Sequence, residues 1–538
     1  MILWLSMMAH AGLGPDDVVV LYNADDAEAL ETAEQYATAR DLTDAQLCPL
    51  SGIDPTTTQV SFEDFNTLVR EPFEACRDAL PHPEDIDVIV LVRGLPYVVS
   101  LPNYVASVSA TLQVGRAVNS DGAEIAGLGQ RSGPNQASII NPLWGGGSNH
   151  SSEMTASYGY NFYYTKSAEL AHGEVTPGPF VRSDVRESSG ITWPNNLYII
   201  TRLDGFDHAD ARALIDRGVQ ADSSFPDAPF TCMRAADAAR GARDAECEHA
   251  TRMLDAAGFN TEWIPAFDNE LVRPNVISYW TGAANMRGAI DGVAFAPGAI
   301  ADNLTSFGAR PNNFFCDEAG TTCPGTESQT SVARFVRAGA TGVQGTVAEP
   351  LNNVFPNAGT LILYSQGFSL GEAWLPNQRH LHWVNTYLGD PLTAPFADRP
   401  VVTLPASATT DQPLVIRAEH AHGIREFAVY VNGARVYRST PTGEEGSLFP
   451  QDWDNVSLGT VDVYAVAIAD DAAPLDVDGW PAGPVQFFPR TKGWVRTTLD
   501  LQAPEAPIEE GGCGCKTGPT SALWMWPLLL LALGRRRR

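Results

Sequence analysis

Positive charge is scarce in this chain: 35 Lys and Arg stand against 64 Asp and Glu. Five of those bases fall in the last 28 residues, which hold no acid, so 35 less five leaves 30 bases against 64 acids in the first 510 residues. A surface this negative repels phosphate backbones, so nucleic acid and anionic lipid are not expected as partners; its first consequence is solubility. Cysteine is sparse as well, at 48, 76, 232, 247, 316, 323, 513 and 515, without the paired Cys-x-x-Cys motifs that hold zinc. What is not lacking is apolar material. At 44% apolar and 9% aromatic, 538 residues can bury two or three sizeable cores and do not form a disordered polymer. Two globular domains and a tail are expected.

The ends are distinct from the body. Met1 to Gly12 is largely apolar and contains Ala9-His10-Ala11, the small-x-small form of a signal-peptidase site, but it is short and lacks a basic start. Residues 1–15 therefore read as a possible truncated signal peptide, with a buried N-terminal strand as the other reading. Near the C-terminus a Pro/Glu-rich linker (501–512) leads to Cys513-Gly-Cys515, an apolar stretch from Ala522 to Leu533, and Arg535 to Arg538. At about 12 residues the stretch falls short of the roughly 20 of a comfortable membrane span. The terminal Arg cluster would hold the end on the cytoplasmic side. This order of parts over 513–538 resembles the MYXO-CTERM sorting tail. The resemblance implies export, cleavage by a sorting protease near Cys513 or Cys515, and display at the cell surface or outer membrane, with membrane contact only through the tail. For an exported chain, Cys48–Cys76, Cys232–Cys247 and Cys316–Cys323 are the expected disulfides on short separation alone, out of 15 connectivities.

Between residues 16 and 397, β-rich runs alternate with helical patterns. Val18 to Leu21 is followed by Asp25-Asp26, a cap for a helix with Leu30, Ala33 and Ala37 on one face. Ser61-x-x-Asp64 starts a second helix with Phe62, Phe65, Leu68 and Val69 inward, and Val88 to Val92 is an unbroken apolar run of the kind covered on both faces. Further strands are expected at Tyr198 to Ile200, Val276 to Trp280, Gly292 to Phe295, Thr341 to Val347 and Leu361 to Tyr364, with helices at Ala209 to Arg217 and Glu248 to Ala257. Repeated β–α units predict a three-layer α/β domain with a mainly parallel sheet. Past residue 398 the helical signal vanishes. Short alternating strands to about residue 500, with Asn432-Gly433 marking a tight hairpin, suggest an immunoglobulin-like β-sandwich, a module that usually serves as spacer or lid.

Tyr279-Trp-Thr-Gly-Ala-Ala-Asn-Met286, Gly292 to Gly298, Ala338 to Val347, Leu370-Gly-Glu-Ala373 and Leu388-Gly-Asp-Pro391 follow the order seen in gingipain-type cysteine peptidases of the caspase-like fold. With Asp17 to Asn23, Thr201 to Gly205, Leu304 to Gly308 and Gly345 to Pro350, residues 16–396 resemble a family of secreted bacterial proteins without assigned activity. The peptidase chemistry needs an imidazole after one strand and a thiolate after the next. Here Gly282-Ala283-Ala284 stands at the first position, and no cysteine lies between Gly298 and Ser306. A non-catalytic binding or structural protein is therefore expected. The alternative is a secreted hydrolase with a non-standard site at the carboxyl edge of the sheet, where α/β ligands tend to bind.

For that alternative the candidates are Asp204 and Glu349, each after an expected strand, with Ser306 or Thr305 as nucleophile. His380-x-His382 and His420-x-His422 would each point two imidazoles the same way from a strand, without a recognised third ligand. Asp470, Asp471, Asp476 and Asp478 offer clustered hard oxygens suited to calcium, and no other cofactor is expected. Each of these groups also has a structural reading: capping, surface pairing or an ordinary acidic loop.

Overall fold

The computed structural model describes residues 12–102, 104–118, 122–127, 139–141, 197–314, 329–439, 445–448, 453, 457–469 and 491–504. Ten strands form one sheet: β1 Val18–Asn23, β2 Leu47–Leu50, β3 Val88–Val92, β4 Ile199–Leu203, β5 Phe230–Met233, β6 Thr261–Ile264, β7 Arg273–Thr281, β8 Val293–Asn303, β9 Gly342–Thr346 and β10 Asn385–Gly389. Across the sheet they run β6-β5-β7-β8-β9-β10-β4-β3-β1-β2. Every neighbouring pair is parallel except β9 with β10.

That single antiparallel seam divides the sheet into two parallel halves of identical order. β2-β1-β3-β4-β10 and β6-β5-β7-β8-β9 are both doubly wound, 2-1-3-4-5 in their own counting. In the first half the fifth strand arrives only after the second half is complete. Because the halves run in opposite directions, the molecule has two carboxyl edges, at opposite ends of the sheet. At the seam, Gly342 lies opposite Gly389, which has φ +137°, and a Cβ on Gly389 would sit 2.7 Å from the Thr341 carbonyl oxygen.

Helices cover both faces. α1 (Ala27–Ala39) is capped by Asp26, whose carboxylate accepts from the Glu28 N–H, and turns Ala29, Ala33, Tyr36 and Ala37 inward onto Val18 and Val20. Leu30 faces outward, 37% exposed, because Tyr36 takes the inward stripe instead. On the other face Phe65, Val69 and Phe73 meet Val19 and Leu21; Phe73 belongs to α2 (Glu71–Asp78), which packs there with α3 (Val108–Gln113). α4 (His208–Ala221), α5 (Asp244–Ala256) and α6 (Val332–Arg337) follow β4, β5 and β8 in turn. Gly258 closes α5 with φ +89°. The strand expected over Leu361 to Tyr364 is instead the helix α7 (Gly359–Ser365), followed by α8 (Leu370–Trp374). Every residue of α7 is buried, so its apolar run carries no periodicity to tell helix from strand.

Past residue 400 two small sheets share one core. β11 (Val401–Thr403), β13 (Leu414–Glu419) and β16 (Glu445–Leu448) form one; β12 (Ser407–Thr409), β14 (Ile424–Val431), β15 (Ala434–Ser439), β17 (Gly459–Ala469) and β18 (Lys492–Gln502) form the other. Pairing is antiparallel apart from β12 with β18. Ile416 and Leu414 meet Phe427, Val429, Val463 and Leu499 between the sheets. Asn432 and Gly433, at φ +47° and +82°, make the expected two-residue hairpin between β14 and β15.

This module is fastened to the amino edge of the first half-sheet. Lys492, 1% exposed, places Nζ 2.7 Å from Asp17 Oδ2 and 3.1 Å from Asp16 Oδ2. The Tyr464 hydroxyl donates to Asp16 at 3.1 Å, Trp494 Nε1 to Asp41 at 3.0 Å, and Arg435 Nη1 to Asp85 at 2.8 Å. In the connection, Arg399 donates to the carbonyls of Leu392 and Lys492 and lies over the Trp494 ring.

Candidate functional site

The two carboxyl edges separate the residues singled out by sequence. Arg202 of β4 and Val343 of β9 flank the same residue of β10, Leu388, but β4 and β9 run in opposite directions. Asp204, just past β4, therefore sits at the first half's edge, while Ser306 and Glu349, past β8 and β9, sit at the second's. The antiparallel seam, which sequence periodicity does not reveal, thus carries Asp204 and Glu349 to different edges of the sheet.

Asp204 is fully buried and saturated. Its carboxylate receives Arg93 Nη1 at 2.8 Å, Arg202 Nε at 3.1 Å and the Gly205 N–H at 2.9 Å. Burial pushes its pKa up, but Arg202 and Arg93 together outweigh burial and hold the carboxyl below its ordinary value. Arg202 also donates to the carbonyls of Leu95 and Pro96 and lies 4.2 Å from the Tyr97 ring centre. The group ties the β3 and β4 loops together, and an ionised acid held this firmly is a poor proton carrier.

At the second edge, Ser306 Oγ donates to Glu349 Oε1 at 2.8 Å, with Glu349 exposed and Ser306 half-buried. Among the described residues no histidine hydrogen-bonds to either. Thr305 is buried, and its hydroxyl bonds Gln329. After β7, where the resemblance places an imidazole, the Ala283 N–H donates to Asn303 Oδ1 at 2.8 Å and Asn303 Nδ2 returns to the Ala283 carbonyl at 3.0 Å. Gly282 is pressed against Arg240, so that a Cβ there would lie 2.8 Å from its carbonyl oxygen. Behind this clasp, buried Arg243 pairs with Asp302 and lies over the rings of Trp280 and Phe355. Sequence reading missed Asn303, Arg243 and Asp302. A polar Asp-Asn ending to an apolar strand was the signal for Asp302 and Asn303; nothing local marked Arg243.

The two histidine pairs differ. β-structure ends at Leu381, and His382 has φ +54°, so His380 and His382 do not share a strand face. His380 meets Trp383 and His382 meets Tyr104, with Tyr104 Oη 3.4 Å from His382 Nδ1. His420 and His422 lie in the turn past β13, where His420 Nδ1 accepts the His422 N–H at 3.2 Å. The acidic neighbour not expected from sequence is Asp398, 3.5 Å from His420 Nε2. Donor atoms of His82, Glu84 and Asp85 also converge within 4.8 Å. There the Arg435 guanidinium already bonds Asp85, and the Arg435 N–H bonds His82 Nε2 at 3.1 Å, so a protein cation occupies the metal's electrostatic role. Asp470, Asp471, Asp476, Asp478, Cys316, Cys323, Cys513 and Cys515 lie outside the described residues.

Among the described residues two disulfides are formed, Cys48–Cys76 and Cys232–Cys247. Each staples a strand, β2 or β5, to the helical segment that follows it. Such bonds persist in oxidising compartments, consistent with a secreted protein. No helix among the described residues is long and apolar enough to cross a membrane.

No family model matches the chain, and no curated protein matches it. Among solved structures, one described as "Structure of Protease" is similar at 10% identity and a TM-score of 0.41, over 90% of this chain and 97% of that one. The fibronectin(III)-like modules of Clostridium thermocellum CbhA are similar at 18% identity and 0.13, over 19% of this chain and 98% of theirs. The Clostridium perfringens spore cortex lytic enzyme SleM is similar at 9% identity and 0.14, over 56% and 78%. At these scores the likeness assigns neither activity nor substrate.

Proposed function

We propose that this is an exported, surface-displayed protein whose α/β domain, of caspase/gingipain-like type, is catalytically silent as a cysteine peptidase and serves binding or structure. The module of residues 398–500 is read as immunoglobulin-like and fixed to that domain. The observation that carries the proposal is the reciprocal Asn303–Ala283 clasp: the ends of β7 and β8, which would present base and nucleophile, instead hydrogen-bond to each other. Alanine accepts no proton, and an amide is neither nucleophile nor base at neutral pH. The tail of residues 513–538 is read as removed by a sorting protease, leaving the protein at the cell surface.

The test treats purified protein with thiol-reactive and serine-reactive peptide electrophiles and screens peptide and glycan libraries, with and without calcium. No stoichiometric adduct and no cleavage is the expected result. Ser306–Glu349 supports the second reading, a hydrolase using Ser306. Cleavage abolished by Ser306→Ala and reduced at least a hundredfold by Glu349→Gln would replace the first reading with it.

A further inference from the structure

Between the sandwich and the amino edge of the first half-sheet lies a cleft of about 200 Å³. From the geometry of this cleft we infer a binding site for a small, uncharged, hydroxyl-rich ring of about the size of one hexose unit. The inference rests on the binding reading above and names where binding occurs.

Four observations carry it. The cleft sits at a domain interface, a preferred place for ligand sites, and its volume corresponds to roughly six or seven waters, small for a drug-sized ligand and adequate for a single sugar ring. Its walls are preformed, because the buried Lys492–Asp16/Asp17 cluster and the half-buried Arg435–Asp85 pair fasten the two sides. Its lining includes exposed Ala45 and Pro81, which offer apolar surface for the C–H face of a ring. The lining also holds Asp462, Arg496 and Asn432, which mix donors and acceptors; Asn432 Oδ1 already accepts the Asp462 N–H at 3.0 Å.

Charge decides the ligand class. Asp462 already lies 3.6 Å from Arg496, Asp85 is bonded to Arg435, and Asp16 is bonded to Lys492 and Tyr464. An ionic ligand would have to displace one of these pairs, whereas hydroxyl groups add to the lone pairs and N–H groups that remain. The hairpin tip is set for contact as well. A Cβ on Gly433 would be 3.9 Å from Pro81, and Asn432 is exposed at the mouth.

The test is saturation-transfer NMR on the full chain with D-glucose, D-galactose and N-acetyl-D-glucosamine, each alone, and with tetramethylammonium and acetate as charged probes. Millimolar binding of at least one sugar is expected, weakened at least tenfold by Asp462→Ala and by Asn432→Gly, which keeps the left-handed turn. Unchanged circular dichroism and melting temperature would show that both variants fold. The inference is overturned if no sugar shows transfer, if transfer survives both substitutions, or if only a charged probe binds. Sugar binding alongside peptide or glycan cleavage would sink the non-catalytic reading and leave the cleft standing.

Discussion

At the residue scale, buried charge is managed by pairing, and two pairs make opposite demands. Lys492 is the cation that two adjacent carboxylates share, so Lys492→Met removes that charge from beside Asp16 and Asp17. Breaking a buried pair from one side costs about 3–5 kcal/mol, which urea denaturation should register as a lower midpoint. Replacing Lys492, Asp16 and Asp17 together by apolar residues of similar volume should recover most of that loss; a triple variant no better than the single one would contradict this account. Asp204 behaves differently. Its folded pKa is depressed, so its contribution is fully present above the unfolded carboxyl value of about 3.9 and disappears as pH falls through the lower folded value. Asp204→Asn should therefore flatten the dependence of stability on pH below about pH 4, and an unchanged slope there would refute the assignment.

At the element scale, the seam and the staples hold the sheet. Gly389→Ala places a side chain at φ +137° and against the Thr341 carbonyl, a backbone atom that cannot yield cheaply. A loss of about 3 kcal/mol or more is expected, measurable by thermal melting. The Cys232–Cys247 bond closes a loop of sequence separation 15, and its removal as a Cys-to-Ala pair should cost about 3 kcal/mol. Both changes act on β5, β9 or β10 and leave the ion pairs of the amino edge intact.

At the scale of the whole molecule, the sandwich is a fastened cap. A Cβ on Gly493 would lie 1.8 Å from the Pro400 carbonyl oxygen, a backbone atom that cannot yield cheaply. Gly493→Ala is expected to loosen the cap without unfolding either core, and limited proteolysis should then cut the connection near Pro400 faster than in the parent chain. By the same reasoning, a fragment ending at residue 398 loses the Lys492 ammonium from beside Asp16 and Asp17. It should melt well below the intact chain at neutral pH; equal melting temperatures would return the module to the role of a free spacer.

Much of this architecture was legible locally. Asp26 and Ser61 as caps, the Asn432-Gly433 hairpin and the all-buried run Val88 to Val92 follow from interactions within a few residues, which a linear chain displays. That Gly282-Ala283-Ala284 holds no histidine and that no cysteine lies between Gly298 and Ser306 was equally readable, because it depends on which residue types are present. Other features depend on contacts between distant parts of the chain. Leu361 to Tyr364 became helix because burial on all sides erased the pattern. The antiparallel pairing of β9 with β10 carried Asp204 and Glu349 to opposite ends of one sheet, and Lys492 found Asp17 475 residues away. Residue type and local spacing thus determined most of the elements and the candidate groups they carry. The relative direction of strands far apart in sequence, set by which edges could pair and bury together, decided where the remaining groups meet.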